Sequence, residues 1–381
     1  MMSLQVEELL DQACQVTGLD DFGDPSFRVG LEKLVDSINR NAEPTEVGKV
    51  AIPGSIVGNL INRLRIEECY REHPEIDDQD IRDPVFITGL PRTGSTALGH
   101  MLALDTETRS LRGWEAAEPC PPPDINVPDD PRIERNIQRG HEFEALVPGV
   151  TEAMPRNAHA PEECFYLLDL SFADVAFNGF HRIPEYERWA MTEGLPEVDA
   201  AYRYHRRVLK LLQWKTPARR WVLRSPVHSA YMGALLKSYP DARFVVTHRD
   251  PVKVLPSICS LIYQVREAFL KNPGPRELGA GQMDQWQEAM RRLIRNRDSL
   301  GEERFFDLYH REQVANPEPG LRRLYDWLGW EFSEQFHTRL EQWRAENPKG
   351  THKSDLADFG LEADEIKDRF AFYTDRFGER M

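Results

Sequence analysis

The sequence predicts an α/β fold: a doubly wound parallel sheet flanked by helices, with a helical extension ahead of it. Three observations carry this. Short apolar runs at 85–87, 220–223 and 243–247 are β-branched or aromatic and abruptly bounded, as strands buried on both faces are. Helical stretches alternate with them, one at 232–237 between the second and third runs. The first run then enters a glycine-bounded loop and a helix start, VFITGLPRTGSTALGHMLAL over 85–104. That arrangement puts backbone N–H groups able to hold a phosphate at the carboxyl end of the sheet.

The elements follow in order. Phe27, Leu31, Leu34, Val35 and Ile38 recur at helical spacing behind Asp24 and Pro25, which suit an N-cap and a first helical position. Val57, Leu60, Ile61 and Leu64 repeat the spacing. These helices form an extension over 1–80 packed on a main domain over 81–381; a lid or the surface of a homodimer is the alternative use for them. A charged stretch at 77–83 leads into the first strand. The prolines of EPCPPPDINVPDDP, 118–131, forbid regular structure, leaving a binding loop or a plain surface excursion. Residues 162–170 and 200–214 read as helical. Asp250 and Pro251 open a helix through Ser257, in which Pro256 implies a kink or an early stop. A strand at 304–308 and helices at 320–328 and 362–377 complete the chain, which has no internal repeat.

Composition narrows the function. The 381 residues carry 48 Lys and Arg against 63 Asp and Glu, a formal net charge of −15. Such a chain is unsuited to nonspecific binding of nucleic acid or anionic membrane, although a local cluster of arginines can still hold an anionic cofactor. The five cysteines are scattered, odd in number and without a C-x-x-C pair, which fits reduced thiols and a cytoplasmic setting. The N-terminus has no basic and apolar leader pattern, and no apolar run reaches the ~20 residues that an integral membrane span requires.

The loop matches G-x-x-x-x-G-K-[ST] at Gly89, Gly94 and Thr96, but Ser95 stands where Lys is expected and the cation is Arg92. The loop therefore cradles a phosphate without the Lys that nucleotide hydrolases direct at the outer phosphates. LPRTGST resembles the 5′-phosphosulfate loop of sulfotransferases that use 3′-phosphoadenosine 5′-phosphosulfate (PAPS). ARFVVTHRDPVKVLPS, 242–257, resembles their 3′-phosphate element, with Arg249 and Ser257 at its two key positions. The resemblance extends over 84–360. PEEC, RWVLRSPVH, YPDAR and RRLYDWLG are similar to a bacterial branch acting on small molecules or lipids. It implies the P-loop NTPase-like sulfotransferase fold, PAPS as cofactor with PAP as product, no required metal, and a hydroxyl acceptor on a small molecule or lipid.

Residue roles follow from the resemblance and from what sulfuryl transfer demands: charge stabilisation on the departing phosphate, neutralisation of the sulfuryl oxygens, and a proton acceptor. Pro91, Arg92, Thr93, Gly94, Ser95 and Thr96 form the 5′ loop, with Arg92 as leaving-group cation. Arg249 and Ser257 clamp the 3′-phosphate, where the planar guanidinium fork suits bidentate binding. Lys349 and Gly350, in KGTH, resemble a late loop over that phosphate, with a solvated turn as the alternative. Arg224 stabilises the sulfuryl group or makes a structural ion pair.

Cytosolic aryl and steroid sulfotransferases carry a base His two residues after that cation, where this chain has Pro226. Glu115, spaced as in the tyrosylprotein branch, is the first choice of base; His228 and His159 are rivals. His310 stands where relatives place a Tyr against adenine. A P-loop kinase-like phosphotransferase and a non-catalytic PAP- or nucleotide-binding protein are the competing readings.

Overall fold

Five parallel strands make one sheet in the computed structural model, which describes residues 2–127, 129–153, 157–216, 219–347 and 354–381. They are β1 (Val85–Gly89), β2 (Thr108–Arg109), β3 (Arg220–Arg224), β4 (Arg243–His248) and β5 (Phe305–Tyr309), in the spatial order β2-β3-β1-β4-β5. The central strand β1 pairs with β3 on one side and β4 on the other, so the chain reverses its winding there. Ligands of such sheets bind outside the carboxyl ends at that reversal.

Period-two alternation gives each face of the sheet its own chemistry. On one face Val85, Ile87 and Val245 join Leu98, Met101, Leu102, Leu308 and Leu321 in a core that Tyr325, Trp330 and Phe336 complete. On the other face Phe86, Phe244 and Phe305 stack across β1, β4 and β5, with centroids 6.3 and 5.1 Å apart. Burial of each such side chain contributes roughly 1.5–3 kcal/mol.

The end of β4 is anchored by a buried polar network. His248 sets Nδ1 2.8 Å from the Tyr373 hydroxyl and Nε2 2.9 Å from Asp307, and Arg297 grips the same carboxylate at 2.7 and 2.8 Å. Burial pushes Asp307 up, but the bonds from His248 and Arg297 overcome it and hold the carboxyl well below the usual range.

The chain divides into two compact units, each drawn from three segments. The sheet lies in the unit made of 82–111, 219–260 and 275–381; the other, made of 1–81, 112–218 and 261–274, is helical. In the helical unit the guanidinium of Arg63, 1% exposed, ties the long helix Glu46–Glu72 to the loop before Phe27 and to the turn Asp169–Ser171. It donates to the carbonyls of Phe22 (2.6 Å), Asp24 (2.8 Å) and Leu170 (3.1 Å) and lies over the Tyr204 ring.

Several boundaries differ from the expectations. The second helix begins at Phe27, because Asp24 accepts from the Ser26 N–H and closes a turn instead of capping. Pro256 neither ends nor splits its helix, which runs unbroken over Pro251–Phe269 behind an Asp250 cap bonded to Val252 N. The 362–377 stretch is two helices, Ala363–Arg369 and Ala371–Phe377, parted at the buried Phe370. The two-residue β2 carries too little pattern to be seen in the sequence.

Asp174 in the helical unit is fully buried, with one carboxylate oxygen accepting from Ala176 N at 2.5 Å. Burial pushes its carboxyl up to about 7. A carboxyl raised above its unfolded value, about 3.9, contributes its stability below that value and loses it as pH rises through the folded one. Asp174→Asn keeps the acceptor oxygen and cannot ionise. Its melting temperature should match wild type near pH 3.5 and exceed it by a margin that grows from there to pH 8; an offset that does not change with pH would contradict this.

Candidate active site

The loop after β1 is shaped by what lies beneath it. Gly89 has φ 124°, and a Cβ there would stand 2.4 Å from the Thr247 carbonyl oxygen, so only glycine allows β1 to come this close to β4. Hydroxyls lock the join. Thr93 Oγ1 donates to Leu90 O at 2.8 Å and lies 2.6 Å from Thr247 Oγ1; Ser229 Oγ lies 2.8 Å from Thr88 Oγ1 and accepts from Gly89 N at 3.0 Å. Arg92 (φ 60°) and Gly94 (φ 90°) both take the left-handed conformation, turning the chain into the helix Ser95–Leu102. Successive N–H groups at such a turn and helix start form a concave anion-binding surface.

Three cations surround the loop. Arg249 donates from Nη1 to the Arg92 carbonyl at 2.8 Å, and Arg92 donates from Nε to Ser257 Oγ at 3.2 Å. Arg92, Arg249 and Ser257, brought from the ends of β1 and β4 and the next helix, thus form one linked group. Arg224, at the end of β3 and 6% exposed, donates to Thr96 Oγ1 at 3.2 Å. The neighbouring imidazoles stay neutral. Burial, then the Arg224 charge, holds His100 down at about 4. Burial, then Arg249 and Lys253, does the same to His310.

The candidate bases divide between the two units. His228, in the sheet unit, is fully buried with its ring edge-on to Phe86 at 5.0 Å. Glu115 belongs to the helical unit, in the short helix Gly113–Ala117. Its carboxylate is 0% exposed and accepts from Arg112 N at 3.0 Å, capping its own helix. His159 is exposed in the same unit, with its backbone N–H bonded to Asn157. A cavity of about 400 Å³ opens beside the Glu115 helix, with Gly113, Ala117, Asn136, His141, Glu162 and Tyr166 among its walls. The proline-rich segment ahead of it is pinned by Arg132, which donates to Glu118 O at 2.8 Å and to Pro121 O. Lys349 and Gly350 lie outside the described residues.

Sequence reasoning overlooked two features. Ser229 and Thr247 hold the loop from below; Ser229 belongs to no motif, and Thr247 lies inside the 242–257 stretch without being one of its two key positions. Gln313 sits above Gly94, its Oε1 3.7 Å from where a Cβ on that glycine would stand. Among the described residues, no group of three or more His, Cys, Asp or Glu could hold a metal ion, and no helix is long and apolar enough to cross a membrane.

Comparison with known proteins gives a consistent picture. The profile of the sulfotransferase family matches residues 84–334. Omega-hydroxy-beta-dihydromenaquinone-9 sulfotransferases named Stf3, from Mycobacterium bovis and Mycobacterium tuberculosis, are each 27% identical over 274 residues, covering 69% of this chain and 67% of theirs. The crystal structure of sulfotransferase STF1 from Mycobacterium tuberculosis superposes with a TM-score of 0.86 at 30% identity, over 97% of this chain and 99% of that one. Sulfotransferase STF9 from Mycobacterium avium superposes at 0.89 with 29% identity, over 98% and 96%.

His310 gives a direct test of the geometry. In the free protein its imidazole should titrate near pH 4 by NMR, because burial and two cations oppose its protonation. A bound multivalent anion should raise that value. A free-protein value near the ordinary 6.5 would contradict the placement.

Proposed function

The chain belongs to the sulfotransferase family and is a sulfotransferase, and from that footing we propose that PAPS is its donor and a hydroxyl on a small molecule or lipid its acceptor. One observation carries the donor assignment. The phosphate loop and the β4 element meet through Arg92, which receives a bond from Arg249 at its carbonyl and gives one to Ser257 from its side chain. Two anion-binding elements joined in this way suit a nucleotide with phosphate groups at both ends of its ribose. The left-handed loop, left open to an anion by its N–H groups, fits the 5′ end.

When bound, PAPS supplies an activated sulfuryl group on a phosphate leaving group. The N–H groups at 93–96 and the Ser95 and Thr96 hydroxyls hold the 5′-phosphate. Arg92 would neutralise charge on the leaving oxygen, and Arg249 with Ser257 would hold the 3′-phosphate. Arg224, bonded to Thr96 Oγ1, would stabilise charge on the sulfuryl oxygens. Lys349 and Gly350 are proposed to close over the 3′-phosphate. Glu115 is proposed as base, its carboxylate oriented by the Arg112 N–H; His228 and His159 are the rivals. The Stf3 relatives are named for a hydroxylated menaquinone, which supports a lipid alcohol as the class to try first.

PAP should raise the melting temperature well above any shift from ATP, because only PAP presents a 3′-phosphate to Arg249. A hundredfold excess over Kd stabilises by about 2.7 kcal/mol. The shift should survive EDTA, and Arg249→Ala should weaken binding by roughly 1.5–3 kcal/mol in calorimetry. Equal shifts from PAP and ATP would refute the donor assignment.

Turnover of Glu115→Gln, followed with labelled PAPS and a hydroxylated lipid, should fall by about 10²–10⁴ with PAP affinity retained. His228→Asn should cost less. If His228→Asn abolishes turnover while Glu115→Gln leaves it largely intact, the two roles are reversed.

A further inference from the structure

Gln313 lies in the six-residue helix His310–Ala315 that follows β5, one turn beyond His310 and on the same face. Both residues close on the phosphate loop: His310 Cδ2 and Gln313 Oε1 stand 3.5 and 3.7 Å from the position a Cβ on Gly94 would take. Both side-chain atoms of the Gln313 amide, Oε1 and Nε2, are shielded from solvent and have no hydrogen-bond partner. Buried polar atoms in folded proteins are satisfied with few exceptions, and an amide with donor and acceptor both unmet beside a ligand cradle marks a contact the ligand completes. His310 cannot supply the same contact pair, since its neutral ring offers one donor and one acceptor on opposite sides.

We propose that Gln313 is the residue that reads the base of the nucleotide held by the loop, and that it selects adenine. The inference rests on the PAPS reading given above. The chemistry is complementary: adenine presents an acceptor at N7 beside a donor at N6, and a glutamine amide meets both at once. Guanine presents two acceptors on that edge, N7 and O6, so one of them would face Gln313 Oε1 with no proton between them. The Arg249 and Lys253 charges that hold His310 neutral act on the phosphate end of the nucleotide and carry no base preference. Base selection and phosphate holding are thereby assigned to different side chains.

Two probes with identical phosphates separate these roles: adenosine 3′,5′-bisphosphate and guanosine 3′,5′-bisphosphate, titrated calorimetrically into the full chain. Wild type should bind the adenine compound roughly tenfold or more tightly. Gln313→Leu should bring the two affinities within about threefold of each other, mainly by losing adenine affinity. Gln313→Met, unbranched like glutamine, should do the same. Arg249→Ala should weaken both compounds alike and leave their ratio standing. The unliganded Gln313→Leu protein should melt no lower than wild type, because the substitution removes two unmet polar atoms. Failure of wild type to bind either bisphosphate would overturn the donor reading itself. Equal wild-type affinity for the two, or an adenine preference that persists in both Gln313 variants, would overturn the role of Gln313 alone.

Discussion

Gly89 ends β1 against the Thr247 carbonyl with no room for a side chain, and the geometry of the loop descends from that approach. With the strands this close, the Thr93 and Thr247 hydroxyls come within 2.6 Å, and the loop is fastened to β4 from below. Arg249, one residue past the end of β4, then reaches the Arg92 carbonyl from the side. The next helix, capped by Asp250, brings Ser257 to the Arg92 side chain. The His248, Asp307 and Arg297 network fixes the same end of β4 from its far side. The groups proposed to bind the anion are thus placed by strand ends and buried bonds, and little depends on the loop's own stiffness.

An acidic chain must concentrate positive charge to hold a multiply charged nucleotide. Here the concentration is made of guanidinium groups, while the imidazoles beside them, His100 and His310, are both held down at about 4. Arginine stays charged over the whole physiological range, and the two histidines stay neutral through it. The charge at the cradle therefore does not vary between mild acid and mild base. Any pH dependence of turnover in that window arises from other groups.

The sheet was legible because buried strands leave a local pattern, and the two stretches proposed to hold phosphate stand out in the sequence for the same reason: glycines or a charged pair at fixed spacing after a strand. The helices were legible from apolar spacing, but their ends were not. Asp24 turns the chain in place of capping it, and the Pro256 helix continues where proline was expected to interrupt it. Gln313 was illegible for a different reason. A single glutamine carries no motif, and its meaning comes from unmet hydrogen bonds that exist only once β5 has carried it to Gly94. Glu115 was picked out by spacing as a candidate base, but nothing in that spacing announced that its carboxylate would be fully buried and capping its own helix.

Arg92 holds a backbone conformation, φ 60°, that residues with a Cβ adopt at a cost on the order of 1 kcal/mol and that glycine adopts freely. The loop's cation thus stands at a position where the backbone itself favours a residue with no side chain. Laboratory evolution for heat resistance alone would meet that preference. It would enrich glycine at position 92, yielding hardier proteins with the cation gone, unless every round were also screened for turnover.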